Sequence, residues 1–432
     1  MELFDHQKKG LELAKGRTRV AFYWDMGLGK TEEGASEAEE MNAPVNLIVC
    51  QKSKIEDWKD HIKTYHSYVR SFVYDLTEKI GMKMFLDHCD QVIKDPKLEP
   101  AWGVINYDLI FRRPELKTLT DFTLILDESS LIQNPQAKRT KAVMEMTFQN
   151  LILLSGTPCS GKYEGLWTQM KMLGWKISEE MFFNQFVDFY WDKENGFPVR
   201  KITGYKNEER LKRKMREYGC QFLKTEEVMD LPEQIFQNIK VPSSDIYKVF
   251  KDERIVEVEG RELVGDTTLT KMLYERQLCG AYSAAKIEAF EDILNSTNDR
   301  LVVFYNFNLE LDKLMEIAGK NERPFGVVNG SQKNPEVLNT EGAVLFIQYQ
   351  AGAMGLNLQI ANRIVYFSPP LSSELFEQSK KRTHRIGQDK TCFYYQMVCT
   401  GSVEQKIYRT LAMRRDYTEA LFEREEGTDG NL

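Results

Sequence analysis

The chain has 432 residues, 42% of them apolar, with a formal net charge of −7 and a sequence pI of about 5.6. That composition excludes a disordered chain, and no uncharged apolar run is long enough to span a bilayer. The length predicts two or three domains, and the acidity confines any surface for a polyanion to a local cleft on an acidic body.

The N-terminus is charged from Glu2 and is not a signal peptide. Seven cysteines (Cys50, Cys89, Cys159, Cys220, Cys279, Cys392 and Cys399) are scattered without a C-x-x-C pair, and five histidines supply no zinc pattern. The cysteines read as reduced thiols. In chain order, near-continuous apolar runs at Val20–Trp24, Leu47–Cys50, Trp102–Ile105, Thr123–Leu126 and Leu151–Leu154 predict strands buried on both faces of a parallel sheet. A second set follows at Leu301–Tyr305, Phe325–Val328, Val344–Ile347, Ile364–Phe367 and Phe393–Val398. Strands alternating with amphipathic helices make βαβ units, so the fold class is α/β, with two parallel-sheet lobes in tandem.

Between the lobes, from about Gly161 to Leu231, the texture turns to aromatics and charges, with helical spacing at Leu166–Leu173 and Glu208–Tyr218. This predicts a first lobe over 1–160, a helical extension over 161–231 and a second lobe over 232–432. The Leu231-Pro232 step marks a hinge strand, and Thr268–Ala281 is a helical stretch ahead of the second sheet. The acidic run Glu32, Glu33, Glu37, Glu39 and Glu40 reads as a solvated face, and the basic run Arg210, Lys212, Arg213, Lys214 and Arg216 reads as a solvated face or, alternatively, as a contact to duplex DNA. Trp58, Trp102 and Trp167 read as core.

Two motifs carry chemistry. Asp25-Met26-Gly27-Leu28-Gly29-Lys30-Thr31 follows a strand and precedes a helix, the setting of a loop that cradles phosphates. Gly27 and Gly29 let backbone N–H groups approach the phosphates, Lys30 would pair with the β- and γ-phosphates, and Thr31 would ligate Mg²⁺. The general pattern wants glycine where this chain has Trp24. The second motif, Leu124–Ser130, ends an apolar strand in two acids. Asp127 would hold Mg²⁺ and Glu128 would orient and deprotonate the attacking water.

With both motifs in place, the chain resembles superfamily 2 helicases, and specifically Swi/Snf-type ATPases, from Phe4 to about Thr410. Leu3–Gln7 resembles the opening motif. Leu47–Trp58 resembles the next, with Gln51 where proline is usual, and Asp127–Ser130 the DExH box, with Ser130 in place of histidine. Ser155–Pro158 resembles the coupling motif and Thr225–Pro232 the segment linking the lobes. Ala351–Leu358 and Gln378–Gln388 resemble the fifth and sixth motifs, the last carrying the specific signature His384-Arg385-Ile386-Gly387-Gln388. The resemblance implies two RecA-like lobes. It also implies that Gln7 reads adenine and that Gly355 and Gln378 help line the nucleotide.

The first lobe lacks an arginine aimed at the γ-phosphate. Arg382 and Arg385, spaced i, i+3 and on one face if helical, are expected to act as arginine fingers towards the γ-phosphate. The resemblance places DNA contacts at Lys52, Ser53, Asn106, Tyr107, Ser155, Gly156, Thr157, Tyr305, Asn306, Gln350, Ala351 and Gly352, reading backbone rather than bases. The expectation is an ATP- and Mg²⁺-dependent translocase on duplex or branched DNA, acting as a monomer without regard to sequence. The alternatives are a strand-separating helicase, although no insertion reads as a separation pin, and an ATP-driven clamp or assembly switch. Motifs begin at the fourth residue and end about twenty residues before the terminus. That leaves no room for a chromatin-reading, zinc or nuclease domain. The further expectation is therefore a bacterial or bacteriophage motor in the cytoplasm, with a protein partner in replication or recombination.

Overall fold

The computed structural model describes residues 2–66, 72–95, 97–194, 197–352, 356, 358–385 and 387–422. The chain divides into two compact units, residues 1–229 with 416–432, and residues 230–415. The first unit runs α1 (Asp5–Ala14), β1 (Arg19–Trp24), α2 (Lys30–Met41), β2 (Val45–Cys50), α3 (Ile55–Tyr65), β3 (Val73–Asp75), α4 (Lys79–Lys94), β4 (Ala101–Asn106), α5 (Tyr107–Ile110), β5 (Phe122–Asp127), α6 (Lys138–Met144) and β6 (Asn150–Leu154). It continues with α7 (Leu166–Met172), α8 (Glu179–Phe186), β7 (Val187–Glu194), β8 (Phe197–Tyr205), α9 (Glu208–Glu217) and β9 (Cys220–Leu223).

Seven of these strands form one parallel sheet in the order β3-β4-β2-β5-β6-β1-β9. The central strands β2, β4, β5 and β6 bury their apolar side chains beneath helices, as their unbroken apolar runs require. Trp58, Trp102 and Trp167 are core residues.

The expected helical extension holds more than helices. Helices α7 and α9 lie where the spacing predicted them, but β9 returns to the sheet and pairs with β1, so this stretch completes the first unit's own sheet. Between α8 and α9, β7 and β8 form an antiparallel hairpin. Its strands bury no continuous apolar row, so neither showed in the sequence. Tyr190 and Trp191 on it are 54% and 59% exposed.

The second unit runs β10 (Gln234–Pro242), α10 (Asp245–Glu253), β11 (Ile255–Val258), β12 (Arg261–Val264), α11 (Thr268–Cys279), α12 (Ala284–Asn295), β13 (Leu301–Tyr305), α13 (Asn308–Lys320) and β14 (Phe325–Val328). It ends with β15 (Val344–Gln348), α14 (Tyr349–Gly352), β16 (Arg363–Tyr366), α15 (Ser373–Lys380), β17 (Cys392–Thr400) and the part of α16 (Val403–Phe422) up to residue 415. Its sheet is again parallel, in the order β10-β17-β16-β13-β15-β14. No strand covers Leu231-Pro232. The strand after that step is β10, a largely exposed edge paired along its length with β17. All seven cysteines are buried free thiols, and no described helix is long and apolar enough to cross a membrane.

One buried ion pair ties the second unit together. Lys286 Nζ on α12 lies 2.6 Å from Glu404 Oε1 on α16, with 0% and 1% of the two side chains exposed. Glu404 Oε2 also accepts from the Cys399 N–H at 3.0 Å, and the ammonium lies over the Phe367 ring. Removing one partner of such a pair strands the other charge in the core. Lys286→Met should therefore destabilise the second unit by roughly 3–5 kcal/mol. Adding Glu404→Gln, which keeps the acceptor for Cys399, should recover most of the loss, with both variants read by urea unfolding.

Candidate functional site

The phosphate loop leaves the end of β1 and enters α2. Gly27 and Gly29 both hold left-handed backbone, with φ of 90° and 75°, which glycine adopts without the clash of a Cβ. Lys30 Nζ donates to the carbonyls of Trp24 at 2.8 Å and Asp25 at 3.0 Å, curling the loop around its own lysine. The loop is pinned from outside as well. His6 Nε2 lies 3.0 Å from the Leu28 carbonyl, and Gln7 Nε2 donates to the Gly29 carbonyl at 3.2 Å. Thr225 donates through both its backbone N–H and its hydroxyl to Asp25 Oδ2, each at 3.1 Å.

The acidic pair ends β5, the strand two places along the sheet from β1. Burial pushes the Asp127 carboxyl above its ordinary range. The Trp58 indole N–H, which donates to Oδ2 at 2.9 Å, and the Lys30 ammonium pull the other way. Glu128 turns the chain at the strand end with φ 54°, a strained setting for a residue with a side chain, and accepts from the Ser155 hydroxyl at 3.3 Å. The donor set fits Mg²⁺: a carboxylate at a strand end and a hydroxyl, Thr31, in the first turn of a helix whose loop offers backbone N–H groups.

Sequence reasoning missed the residue that joins these pieces. Gln169 on α7 is fully buried. Its Oε1 accepts from the Tyr23 hydroxyl at 2.9 Å and from the Ser129 hydroxyl at 2.8 Å, and its Nε2 donates to the Pro158 carbonyl at 2.8 Å. One amide thus links the phosphate-loop strand, the acidic loop and the Ser155–Pro158 loop. A lone glutamine inside the apolar helix Leu166–Met172 was the available signal.

Several expected nucleic-acid contacts support loops instead of facing outward. Tyr107 is buried and donates its hydroxyl to the Asp127 carbonyl at 3.0 Å. Asn106, Ser155, Gly156, Thr157, Tyr305 and Ala351 are buried too. Asn306 is half-buried and bridges the β13 and β16 loops through Ser368 and Pro369. Lys52, Ser53 and Gln350 are exposed, and Gly352 ends α14. Gly355 lies outside the described residues.

In the second unit α15 ends at Lys380, so Arg382 and Arg385 are not on one helical face. They lie on an irregular turn held by its neighbours. His384 Nε2 lies 2.7 Å from the Pro232 carbonyl, and Gln388 Nε2 reaches the carbonyls of Gln359, Ala361 and Thr383 at 3.0–3.3 Å. Burial lowers the Arg385 guanidinium from its ordinary value. Gln378 is buried on α15 and donates to Glu374 at 3.2 Å.

The acidic run beside the loop is a solvated face only at Glu39 and Glu40. Glu32, Glu33 and Glu37 are buried on α2 at 6%, 0% and 3% exposure. Glu33 Oε1 packs against Gly10 of α1, where a Cβ would strike it and the Trp24 ring. The helix has turned its acids inward because α1 and α3 cover them.

These features define a class: a parallel-sheet nucleotide-binding unit with a phosphate loop and an acidic strand end, followed by a second parallel-sheet unit without that loop. The SNF2-related domain matches residues 6–283 and the helicase conserved C-terminal domain matches residues 285–387. The chain belongs to the SNF2-related family of helicase-like ATPases. It is 23% identical over 439 residues to the SWI/SNF-related matrix-associated actin-dependent regulator of chromatin subfamily A-like protein 1 homolog of Caenorhabditis elegans, covering 96% of this chain and 61% of that one. It is 22% identical over 467 residues to the ISWI chromatin-remodeling complex ATPase ISW2 of Saccharomyces cerevisiae, covering 96% and 40%. It is also 22% identical over 446 residues to the putative ATP-dependent helicase/translocase YwqA of Bacillus subtilis, covering 93% and 46%. The chain thus spans between 40% and 61% of the length of these relatives. Among solved structures, the Sulfolobus solfataricus SWI2/SNF2 ATPase core in complex with dsDNA aligns over 97% of this chain and 92% of that one, at 19% identity and a TM-score of 0.46.

Two predictions follow from the loop and its helix. In Gly29→Ala the new Cβ would lie 2.7 Å from Gln7 Nε2 on a backbone of φ +75°. It should cost about 1–2 kcal/mol of stability and weaken ATP binding, as measured by titrating a fluorescent nucleotide. The Glu33 carboxyl is pushed to about 9 and the Glu37 carboxyl to about 7, by burial first and by neighbouring carboxylates second. A raised folded-state pKa means tighter proton binding in the folded chain, so the associated stability is full below about 4.5 and is lost as pH rises through about 9. Urea midpoints should fall across that window, and Glu33→Gln should flatten the decline.

Proposed function

We propose that this chain couples ATP hydrolysis to movement along duplex or branched DNA. The observation that carries the reading is the pairing of two differently equipped units. The first carries Lys30 and Thr31 at the start of α2, and Asp127 and Glu128 where β5 ends. The second holds Arg382 and Arg385 on a turn locked by His384 and Gln388. In this reading Glu128 orients and deprotonates the attacking water, and Gln7 meets the base. Arg385, with Arg382, stabilises charge on the γ-phosphate when the units close. Bound Mg²⁺, held by Thr31 and Asp127, would neutralise charge on the phosphate oxygens. Loss of the γ-phosphate then releases the clamp, and a hinge motion becomes a step if each unit grips a strand. In this reading Lys52 and Ser53, exposed on the turn after β2, and Gln350, exposed on α14, touch backbone phosphates. That two of the matched relatives are named as a chromatin-remodeling ATPase and a helicase/translocase supports the reading.

A second reading, strand separation, is favoured by the β7–β8 hairpin, whose exposed Tyr190 and Trp191 offer ring faces to an unpaired base.

The test is steady-state ATP hydrolysis without nucleic acid, then with single strands, duplex, a fork, a four-way junction and RNA. Duplex or junction DNA should stimulate the rate. Lys30→Ala should abolish hydrolysis, and Arg385→Ala should lower it by roughly 10³–10⁵-fold. Unwinding of a labelled fork, lost in Trp191→Ala, would move the conclusion to strand separation. Hydrolysis with no displacement of a triplex-forming strand would leave only a clamp.

A further inference from the structure

Folding brings together ligand-type side chains that are scattered in the sequence. Glu32 lies in the first turn of α2, His61 in α3, and His66 at the C-terminal end of α3. Glu32 Oε2 is 2.9 Å from His61 Nε2 and 3.3 Å from His66 Nε2, with the three side chains 8%, 17% and 3% exposed. Glu32 Oε1 is held separately by the Ser36 hydroxyl at 3.2 Å. Close as they are, Glu32 Oε2, His61 Nε2 and His66 Nε2 make no aligned hydrogen bond among the described residues. The ring nitrogens aim beside the carboxylate rather than at it.

We propose that Glu32, His61 and His66 form a binding site for a divalent transition metal of the zinc class, separate from the phosphate loop's Mg²⁺. Two imidazoles and one carboxylate are a recurrent donor set for this ion, leaving a fourth position for water on the partly exposed His61 side. Bonds of about 2.0–2.2 Å in a tetrahedron separate neighbouring donors by roughly 3.3–3.6 Å. The two separations from Glu32 Oε2 lie within a few tenths of an ångström of that range. The ligand atoms of all three residues fall within 4.8 Å of one another.

An outer partner is also in place. His66 Nδ1 lies 3.1 Å from Glu39 Oε2, also without an aligned hydrogen bond, and a small turn of the ring would give the carboxylate–histidine–metal arrangement that fixes a ligand ring and strengthens it. The ion would join the two helices that flank the phosphate site: α2, which begins with Lys30 and Thr31, and α3, whose Trp58 holds Asp127.

The experiment uses the whole chain without nucleotide or Mg²⁺. Zn²⁺ is titrated against a chromophoric chelator, and Co²⁺ serves as the spectroscopic probe. One equivalent of Zn²⁺ should bind, and Co²⁺ should show the intense visible bands of a tetrahedral site. His61→Gln and Glu32→Gln should abolish those bands. Glu39→Gln changes a side chain that is 46% exposed, leaves the core intact, and should weaken affinity by roughly 10–100-fold. Absence of the tetrahedral bands would overturn the proposal. So would Zn²⁺ uptake unchanged in His61→Gln and Glu39→Gln, which would assign the ion to cysteines elsewhere and leave Glu32, His61 and His66 as an ordinary polar cluster.

Discussion

A parallel sheet ends all its strands at one edge, and the loops beyond that edge carry backbone groups that the sheet cannot satisfy. The functional corner of the first unit is organised by that constraint. Lys30 takes up two carbonyls of its own loop, Gln7 and His6 reach those at its far end, Tyr107 takes the Asp127 carbonyl, and Gln169 takes that of Pro158. Each bond that relieves an orphaned group also fixes a residue of the proposed chemistry. Removing one would cost twice, once in a stranded polar group and once in the placement of its neighbour.

The second unit answers the same constraint differently, because it has no phosphate loop. Beyond β13, Glu310 at the start of α13 is fully buried and accepts from the N–H groups of Asn306 and Phe307 and from the Ser368 hydroxyl at 2.9–3.1 Å. Asn306 and Tyr349 then take up carbonyls of the β16 loop. This corner is closed on itself, with Gly280 admitting Glu310 where a Cβ would clash. The sixth-motif turn gains its shape in the same way, from His384 on the Pro232 carbonyl and Gln388 on three others. Two of the five signature residues therefore build the turn that presents Arg385.

Helix α2 shows how far tertiary packing can overrule composition. Its acids would favour water, yet α1 and α3 close over them, so Glu33 is held neutral near physiological pH and Glu32 meets two histidines. A charged acid in the first turn of a helix complements its dipole, and Glu32 occupies that turn. The helix that follows the phosphate loop thus carries buried acids beside the apolar residues Ala35 and Ala38 that seat it on the core.

The central strands β1, β2, β4, β5 and β6, and β13 to β17 in the second unit, were legible because a strand buried on both faces has to be apolar throughout. The phosphate loop and the acidic strand end were legible because phosphate chemistry demands particular residues at short spacing. Strands β3, β9 and β10 and the β7–β8 hairpin were not, since they are mostly half-buried or exposed and carry no continuous apolar run, whereas the edge strand β14 buries three residues in a row and was legible. Nor was the inward turn of Glu32, Glu33 and Glu37, because which face of a helix is covered depends on what packs against it. Gln169 and the Glu32, His61 and His66 cluster were hidden for a related reason. Their partners are joined by folding across tens of residues, and long-range hydrogen bonds and ligand sets leave no mark on local periodicity. Local chemistry and strand burial were thus written into the chain order, while the bonds between loops were decided only when the sheets closed.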